Sequence, residues 1–305
     1  MKCVTVLIFL LFLYNPFVSA QKVLREQRNW ALYHTMGGSQ AINSIRLSTG
    51  VELEYVEQGD EAGIPVIFLH GYTDSWHSFE TILPYLPGTL HVFAITQRGH
   101  GNSSKPKDHY HPKDFAADIA AFIKETELGK AVIVGHSLGG VIAQQFALDY
   151  PEYTKALVIV GSDPAFNDNP GLAEFRKAVM QLSDPVDYKF AETFQKSTIN
   201  GTIDSNYLKL LINETLKLPA GVWKEVIDGF MGVDYTKELY KIEQPVLIFW
   251  GDKDEICPRV AQDIMAREIK NARLAVYKET GHALHWEQPD RFANDLLIFI
   301  QTLTK

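Results

Sequence analysis

A short β-branched run, Ala131-Val132-Ile133-Val134, ends in Gly135-His136-Ser137-Leu138-Gly139 and passes at once into an apolar helical pattern. Few folds accommodate that order. It demands a strand, a reversal with room on both sides of one serine, and a helix that starts on the spot. Gly135 and Gly139 give the room because neither carries a Cβ. The serine is lifted clear of the sheet. The helix that follows aims unpaired N–H groups and the positive end of its dipole at the same point. Such a point stabilises an alkoxide or an oxyanion.

Strands and helices alternate on both sides of this turn. Residues 44–48 and 51–58 read as two strands about the turn Thr49-Gly50. Segments 65–69, 91–95, 156–160, 246–250 and 274–277 are apolar runs of the kind buried on both faces of a sheet. Helical patterns fill 112–128, the stretch from the serine turn to about Tyr150, 260–269 and 289–303. The expectation is an α/β fold, with a mostly parallel central sheet covered by helices on both faces.

One segment breaks the rhythm. Residues 163–243 show helical periodicity, no convincing strand and repeated prolines, Pro164, Pro170, Pro185 and Pro219 among them. They read as an all-helical cap of four or five short helices, inserted after the sixth strand between core segments 21–162 and 244–305. Its aromatic and large apolar residues make Phe166, Phe194, Trp223, Phe230 and Met231 the expected lining of a substrate pocket.

The remaining composition sets limits. With 305 residues, 46% hydrophobic and a net charge of −8, the chain is globular and gives no reason to expect nucleic acid. Residues 1–20 read as a signal peptide: Lys2, an apolar run over 4–13, and Val18-Ser19-Ala20 as the cleavage site after Ala20. The mature protein is therefore expected to be secreted or periplasmic, with no stable membrane anchor. Cys3 leaves with that segment, so Cys257 stands alone and no intramolecular disulfide can form.

A serine hydroxyl needs a base within hydrogen-bond reach, and the base needs a carboxylate to fix its tautomer. Of ten histidines, His282 lies just after the last strand, on a loop that must pass the rim holding Ser137. His285 follows three residues later and reads as packing or capping, and His70, His100 and His136 sit in turns. The acids follow the strand before: Asp254 sits mid-loop, while Asp252 reads as a cap for the backbone of its own loop and Glu255 faces solvent. Asp163, at the root of the cap, is a further candidate. Two N–H donors for an oxyanion are expected from Leu138 and from Tyr72, the latter following Gly71 after the third strand.

The segments HGYTDSW (70–76), RGHGNSSKP (98–106), GHSLGG (135–140), GDKDEICP (251–258) and GHALHWEQP (281–289) stand in an order that resembles the α/β-hydrolase superfamily. The likeness is to its capped esterase, haloperoxidase and C–C hydrolase-like branch. It implies Ser137 as nucleophile, Asp254 as acid, His282 as base, and Tyr72 and Leu138 as oxyanion donors, with Arg98 and His100 structural. Dehalogenases and epoxide hydrolases of this fold carry an aspartate where Ser137 stands, and epoxide hydrolases usually carry a proline where Thr73 stands. Thr96 occupies a position where many members have an aspartate.

The reading that follows is a serine hydrolase of a small-molecule carboxylic ester or lactone, with no metal or organic cofactor. Perhydrolysis or C–C cleavage on the same triad is the alternative within enzymes, and a ligand-binding protein on the same fold is the alternative outside them.

Overall fold

The computed structural model describes residues 41–166 and 169–303. The segment expected as signal peptide, its cut after Ala20 and nearly all of the lead-in lie outside the described residues.

Eight strands form one sheet: β1 (Ile42–Arg46), β2 (Glu52–Gly59), β3 (Ile64–Leu69), β4 (Leu90–Ile95), β5 (Ala131–His136), β6 (Thr154–Val160), β7 (Val246–Gly251) and β8 (Ala272–Tyr277). Their order is β1-β2-β4-β3-β5-β6-β7-β8, antiparallel at β1–β2 and β2–β4 and parallel thereafter. The first strand ends two residues earlier than its sequence indicates. The turn begins at Leu47, whose N–H and C=O bond Val51 and Gly50. In the other direction, β5 runs on through Gly135 and His136 because both still pair with β6.

The interior strands are apolar on both sides, and alternate residues serve two cores. Ile67 and Leu69 of β3 pack with α1 (Pro112–Glu125), α2 (Leu138–Asp149) and α7 (Arg259–Glu268), while Val66 and Phe68 pack with α9 (Pro289–Thr302) on the opposite face. Each fully buried Phe or Ile in these layers contributes about 1.5–3 kcal/mol of transfer free energy. Helix α1 stops at Glu125, short of the expected 128, where Glu127 and Gly129 take left-handed backbone.

Between β6 and β7 lie four helices, α3 (Pro170–Val179), α4 (Tyr188–Ser197), α5 (Ser205–Thr215) and α6 (Ala220–Met231). Their starts are written locally: the Asn169, Asp187 and Asp204 side chains accept N–H groups of the first turns of α3, α4 and α5. Among the described residues, the one strand-like feature of this insertion is an antiparallel bridge between Ala165 and Asp234. No described helix is long and apolar enough to cross a membrane.

Connections from β3 lead to β4 on one side and from β4 back to β5 on the other, so the chain switches direction at the β3/β5 pair. The crevice beyond the carboxyl ends of those strands is where such sheets take ligands. The loop after β3 carries Gly71 to Asp74, and the turn after β5 carries Ser137.

Candidate active site

Ser137 sits at φ 51°, ψ −116°, a backbone conformation that costs a non-glycine residue strain of order 1–3 kcal/mol. The neighbours hold it there. Its N–H donates to Val160 O at 2.8 Å, and Ser162 Oγ donates to Ser137 O at 2.8 Å. Space forces the flanking glycines. A Cβ on Gly135 would stand 2.1 Å from Gly139 O, and one on Gly139 would stand 2.1 Å from Leu69 O. Strand, turn, helix and β3 are thus in backbone contact at this point.

His282 lies in the loop after β8 and Asp254 in the loop after β7. The His282 Nδ1 is 2.9 Å from Asp254 Oδ2, with both side chains buried. The other carboxylate oxygen accepts the N–H groups of Ile256 and Cys257, each at 2.9 Å. Asp254 is acceptor-only when ionised, so the proton of the pair sits on Nδ1 and leaves Nε2 to meet a substrate. The two loops are tied together. Asp252 Oδ1 accepts Glu279 N–H at 2.6 Å, and Lys253 N–H donates to Thr280 O. Asp252 therefore fastens the histidine loop to its own, where the sequence reads as a cap for its own loop alone.

Asp163 takes the N–H of Ala165, and burial, with the charge of Asp254 nearby, pushes its carboxyl up to about 6. It has no hydrogen bond to His282 among the described residues. His285 is fully buried, bonded to Ser78 Oγ at 3.1 Å, and held neutral by burial with a pKa of about 3. Its role is packing. Between these rings lies His136, buried with its centroid 4.9 Å from His282 and 4.4 Å from His285. Burial and the two neighbouring imidazoles hold it well below the usual histidine range.

Ser137 and His282 open on one cavity of about 300 Å³. Tyr72, Asp74, Phe175, Phe194 and Trp286 contribute to its walls. Among the described residues, neither Tyr72 N–H nor Leu138 N–H has a protein acceptor, as the first turn of a helix leads one to expect for Leu138. Asp74 is buried in the same wall, and desolvation raises its carboxyl to about 7 despite bonds from Gln195 and Ser78.

A family model described as the alpha/beta hydrolase fold matches residues 64–289, which takes in the serine turn, both loops and the helical insertion. The chain belongs to the α/β-hydrolase family.

Relatives of this α/β hydrolase carry esterase and haloperoxidase names. It is 30% identical over 276 residues to a non-heme haloperoxidase of Rhodococcus erythropolis, covering 85% of this chain and 99% of the relative. It is 29% identical over 283 residues to a non-heme chloroperoxidase of Streptomyces lividans, covering 86% of this chain and all of the relative. An esterase of Exiguobacterium antarcticum superposes with a TM-score of 0.78 at 22% identity, over 85% of this chain and 99% of its own, a likeness of fold.

The pocket wall of this α/β hydrolase departs from the expected one. Of the five anticipated cap residues only Phe194 lines the cavity. Phe166, Trp223 and Phe230 are buried in the core, Phe230 against Phe115 of α1, and Met231 packs half-buried beside them. Phe230 of α6 packs on Phe115 of α1 while Trp223 packs on Tyr72, Phe190 and Phe194, and helical periodicity cannot tell those directions from the cavity. The wall instead draws Leu172 and Phe175 from α3, Gln195 from α4 and Trp286 near the closing helix. Asp74 was detectable, since it lies two residues beyond Tyr72 in the same turn.

The remaining motif residues support the frame. Arg98 makes a two-pronged pair with Asp118, 2.6 Å at each contact, and donates to His109 O. His70 is bonded to backbone at both ring nitrogens. Asp254, Cys257 and His282 bring one ligand atom each within 4.8 Å of one another, the geometry of a three-residue metal group. The donor set suits a metal poorly. Burial and the charges of Asp254 and Asp163 push the Cys257 thiol well up, and a metal needs the thiolate. Asp254 and His282 are better satisfied by each other.

Proposed function

We propose that this α/β hydrolase is a serine hydrolase that cleaves a carboxylic ester or lactone through an acyl-enzyme on Ser137. The observation that carries the reading is the bonded His282–Asp254 pair on the same cavity as a serine held in strained backbone. His282 Nε2 takes the Ser137 proton as Oγ attacks the carbonyl carbon. The N–H groups of Tyr72 and Leu138 receive the oxyanion, and Asp254 stabilises the imidazolium. The imidazolium returns the proton to the leaving alkoxide. Water then attacks the acyl carbon with His282 again as base, releasing the acid and restoring the serine.

A cavity of about 300 Å³ with Phe175 and Phe194 in its wall favours a small or medium apolar acyl group. A second reading has a specific source, the haloperoxidase names of relatives at 29% and 30% identity. Hydrogen peroxide in place of water at the acyl-enzyme would yield a peracid from the same intermediate. The segment 163–243 serves in this reading as the cap, and residues 1–20 as an export signal, for which the intact mass of the mature protein is the check.

The test is a panel of p-nitrophenyl esters of rising acyl length and several lactones, with and without peroxide, for wild type and Ser137→Ala. Loss of the serine is expected to remove at least ~10³-fold of turnover. Equal rates for the two proteins would end the serine-hydrolase reading, and peracid output above acid output would favour the second.

A further inference from the structure

Three consecutive residues after β3 are each held by a different helix of the insertion. Tyr72 Oη donates to Trp223 O of α6 at 2.6 Å, and its ring stands edge-on to Phe194 at 5.8 Å and to Trp223 at 5.2 Å. Thr73 is buried at φ 68°, left-handed backbone that a β-branched residue keeps only under constraint. Its Oγ1 lies 3.2 Å from Thr215 Oγ1 at the end of α5. Asp74 Oδ1 accepts Gln195 Nε2 of α4 at 2.9 Å, and the same amide nitrogen donates to Thr215 Oγ1 at 2.6 Å.

The contacts are directional. Gln195 and Thr215 are fully buried, and Gln195 and Asp74 also border the cavity, so a bond broken at Thr215 leaves a buried polar group without its partner. The Gln195 NH₂ group donates to both Asp74 and the Thr215 hydroxyl, and its Oε1 has no partner among the described residues. Within the loop itself Asp74 N–H reaches Gly71 O at 3.3 Å, Gly71 O also meets His70 Nδ1 at 2.8 Å, and the Asp74 carboxylate takes bonds from Gly71 N–H and Ser78 Oγ. The backbone that points the Tyr72 N–H is therefore held from two sides, by these local bonds and by groups more than a hundred residues downstream.

We propose that Gln195 and Thr215 are positioning residues for oxyanion stabilisation, and that with the Trp223 carbonyl they clamp the Tyr72–Thr73–Asp74 turn so that the Tyr72 N–H meets the developing charge. The inference rests on the serine-hydrolase reading above. It makes the insertion a part of the catalytic geometry as well as a wall of the pocket. An N–H aimed at a developing charge acts in the transition state more than on the bound substrate. Loosening the clamp therefore lowers kcat and leaves KM nearly unchanged.

Thr215→Val, Tyr72→Phe and the conservative Thr215→Ser test it, each normalised to the Ser137 titrated to completion by a fluorophosphonate. Thr215→Val and Tyr72→Phe are expected to lose about 10–100-fold in kcat, less than the 10²–10³ of a donor removed outright. KM should stay within about threefold, and affinity for a trifluoromethyl ketone, which forms an oxyanion on the serine, should fall in proportion to kcat. Thr215→Ser should restore most of the turnover. If kcat and ketone affinity hold in both variants while only the urea midpoint drops, the contacts are structural and the proposal is wrong. A rise confined to KM would equally overturn it. Ser137→Ala run alongside separates the cases: an active Ser137→Ala removes the underlying reading, whereas a dead one beside unaffected clamp variants removes this inference alone.

Discussion

Asp254 reaches His282 with one carboxylate oxygen, 2.9 Å from Nδ1, and spends the other on two backbone N–H groups of its own loop. The side chain of Asp163, also buried at this rim, bonds only Ala165 N–H among the described residues. Asn in place of Asp254 can still accept an N–H but offers no charge to the imidazolium and permits the wrong tautomer. Asp254→Asn is expected to lower kcat on a p-nitrophenyl ester by about 10³–10⁴. Asp163→Asn should change it by less than about fivefold. The reverse ranking would reassign the acid.

Gly139 and Gly221 have opposite surroundings. A methyl on Gly139 meets the Leu69 carbonyl at 2.1 Å, whereas one on Gly221, in the first turn of α6, meets nothing within 4 Å. Backbone atoms cannot swing aside, so Gly139→Ala should cost at least ~1–3 kcal/mol in urea unfolding and most of the activity. Gly221→Ala should be neutral or stabilise by up to about 1 kcal/mol. Comparable midpoints for the two would show that the serine turn has slack.

The Arg98–Asp118 pair is buried, with Thr49 Oγ1 also donating to Asp118 at 2.6 Å. Deleting one partner strands the other charge. Asp118→Ala is expected to cost about 3–5 kcal/mol. Turnover per folded molecule should hold within about threefold, because neither residue lines the cavity.

Phe194 and Phe230 separate pocket from core. Phe194→Ala enlarges the cavity and should move the preferred acyl chain to greater length at small cost in stability. Phe230→Ala opens a hole against Phe115 and should cost about 3–5 kcal/mol with the acyl preference unchanged. A shifted preference in Phe230→Ala would contradict the cavity described above.

Acid stability is decided by two opposed sets of buried groups. Burial holds His70 and His136 well below the ordinary value, His100 at about 4 and His285 at about 3. As pH falls below 6.5 the unfolded chain takes protons that these refuse, so each lowers stability on acidification. Asp74, raised to about 7, and Asp163, raised to about 6, act the other way, since the folded state binds their protons first. Their contribution is lost as pH rises through that window and regained on acidification. Four histidines against two acids leave a net loss of stability as pH falls below about 6. Urea midpoints should fall across that range, and His285→Gln should flatten the slope. A midpoint that rises on acidification would mean that the carboxyls dominate.

The serine turn, the two loops and the sheet were legible in the sequence because their geometry is local. Five residues set the turn at Ser137, and strand ends place Tyr72, Asp254 and His282 on one rim without knowledge of packing. The pocket wall is of another kind. Phe230 and Phe194 lie on similar apolar stripes, and which one faces the cavity depends on the partners the fold brings up, Phe115 of α1 for Phe230. The same limit hid Gln195 and Thr215, polar residues on helix patterns whose partners are Thr73 and Asp74, far away in sequence. Asp252 was legible as a loop acceptor but not as the fastener of a second loop, because its donor, Glu279, follows another strand.

Cys257 lies behind the acid, 1% exposed, and lends Asp254 one of its two backbone donors. Its thiol keeps its proton while the loop is seated, so alkylating reagents find neither access nor a thiolate. Both arrive when the loop after β7, residues 252–258, opens, an event that also parts Asp254 from His282. The rate of Cys257 labelling under excess reagent therefore counts the moments at which the Asp254–His282 pair comes apart. Each label, once bonded, turns a passing fluctuation into a permanent record, so the molecule carries its own clock for the lifetime of its working state.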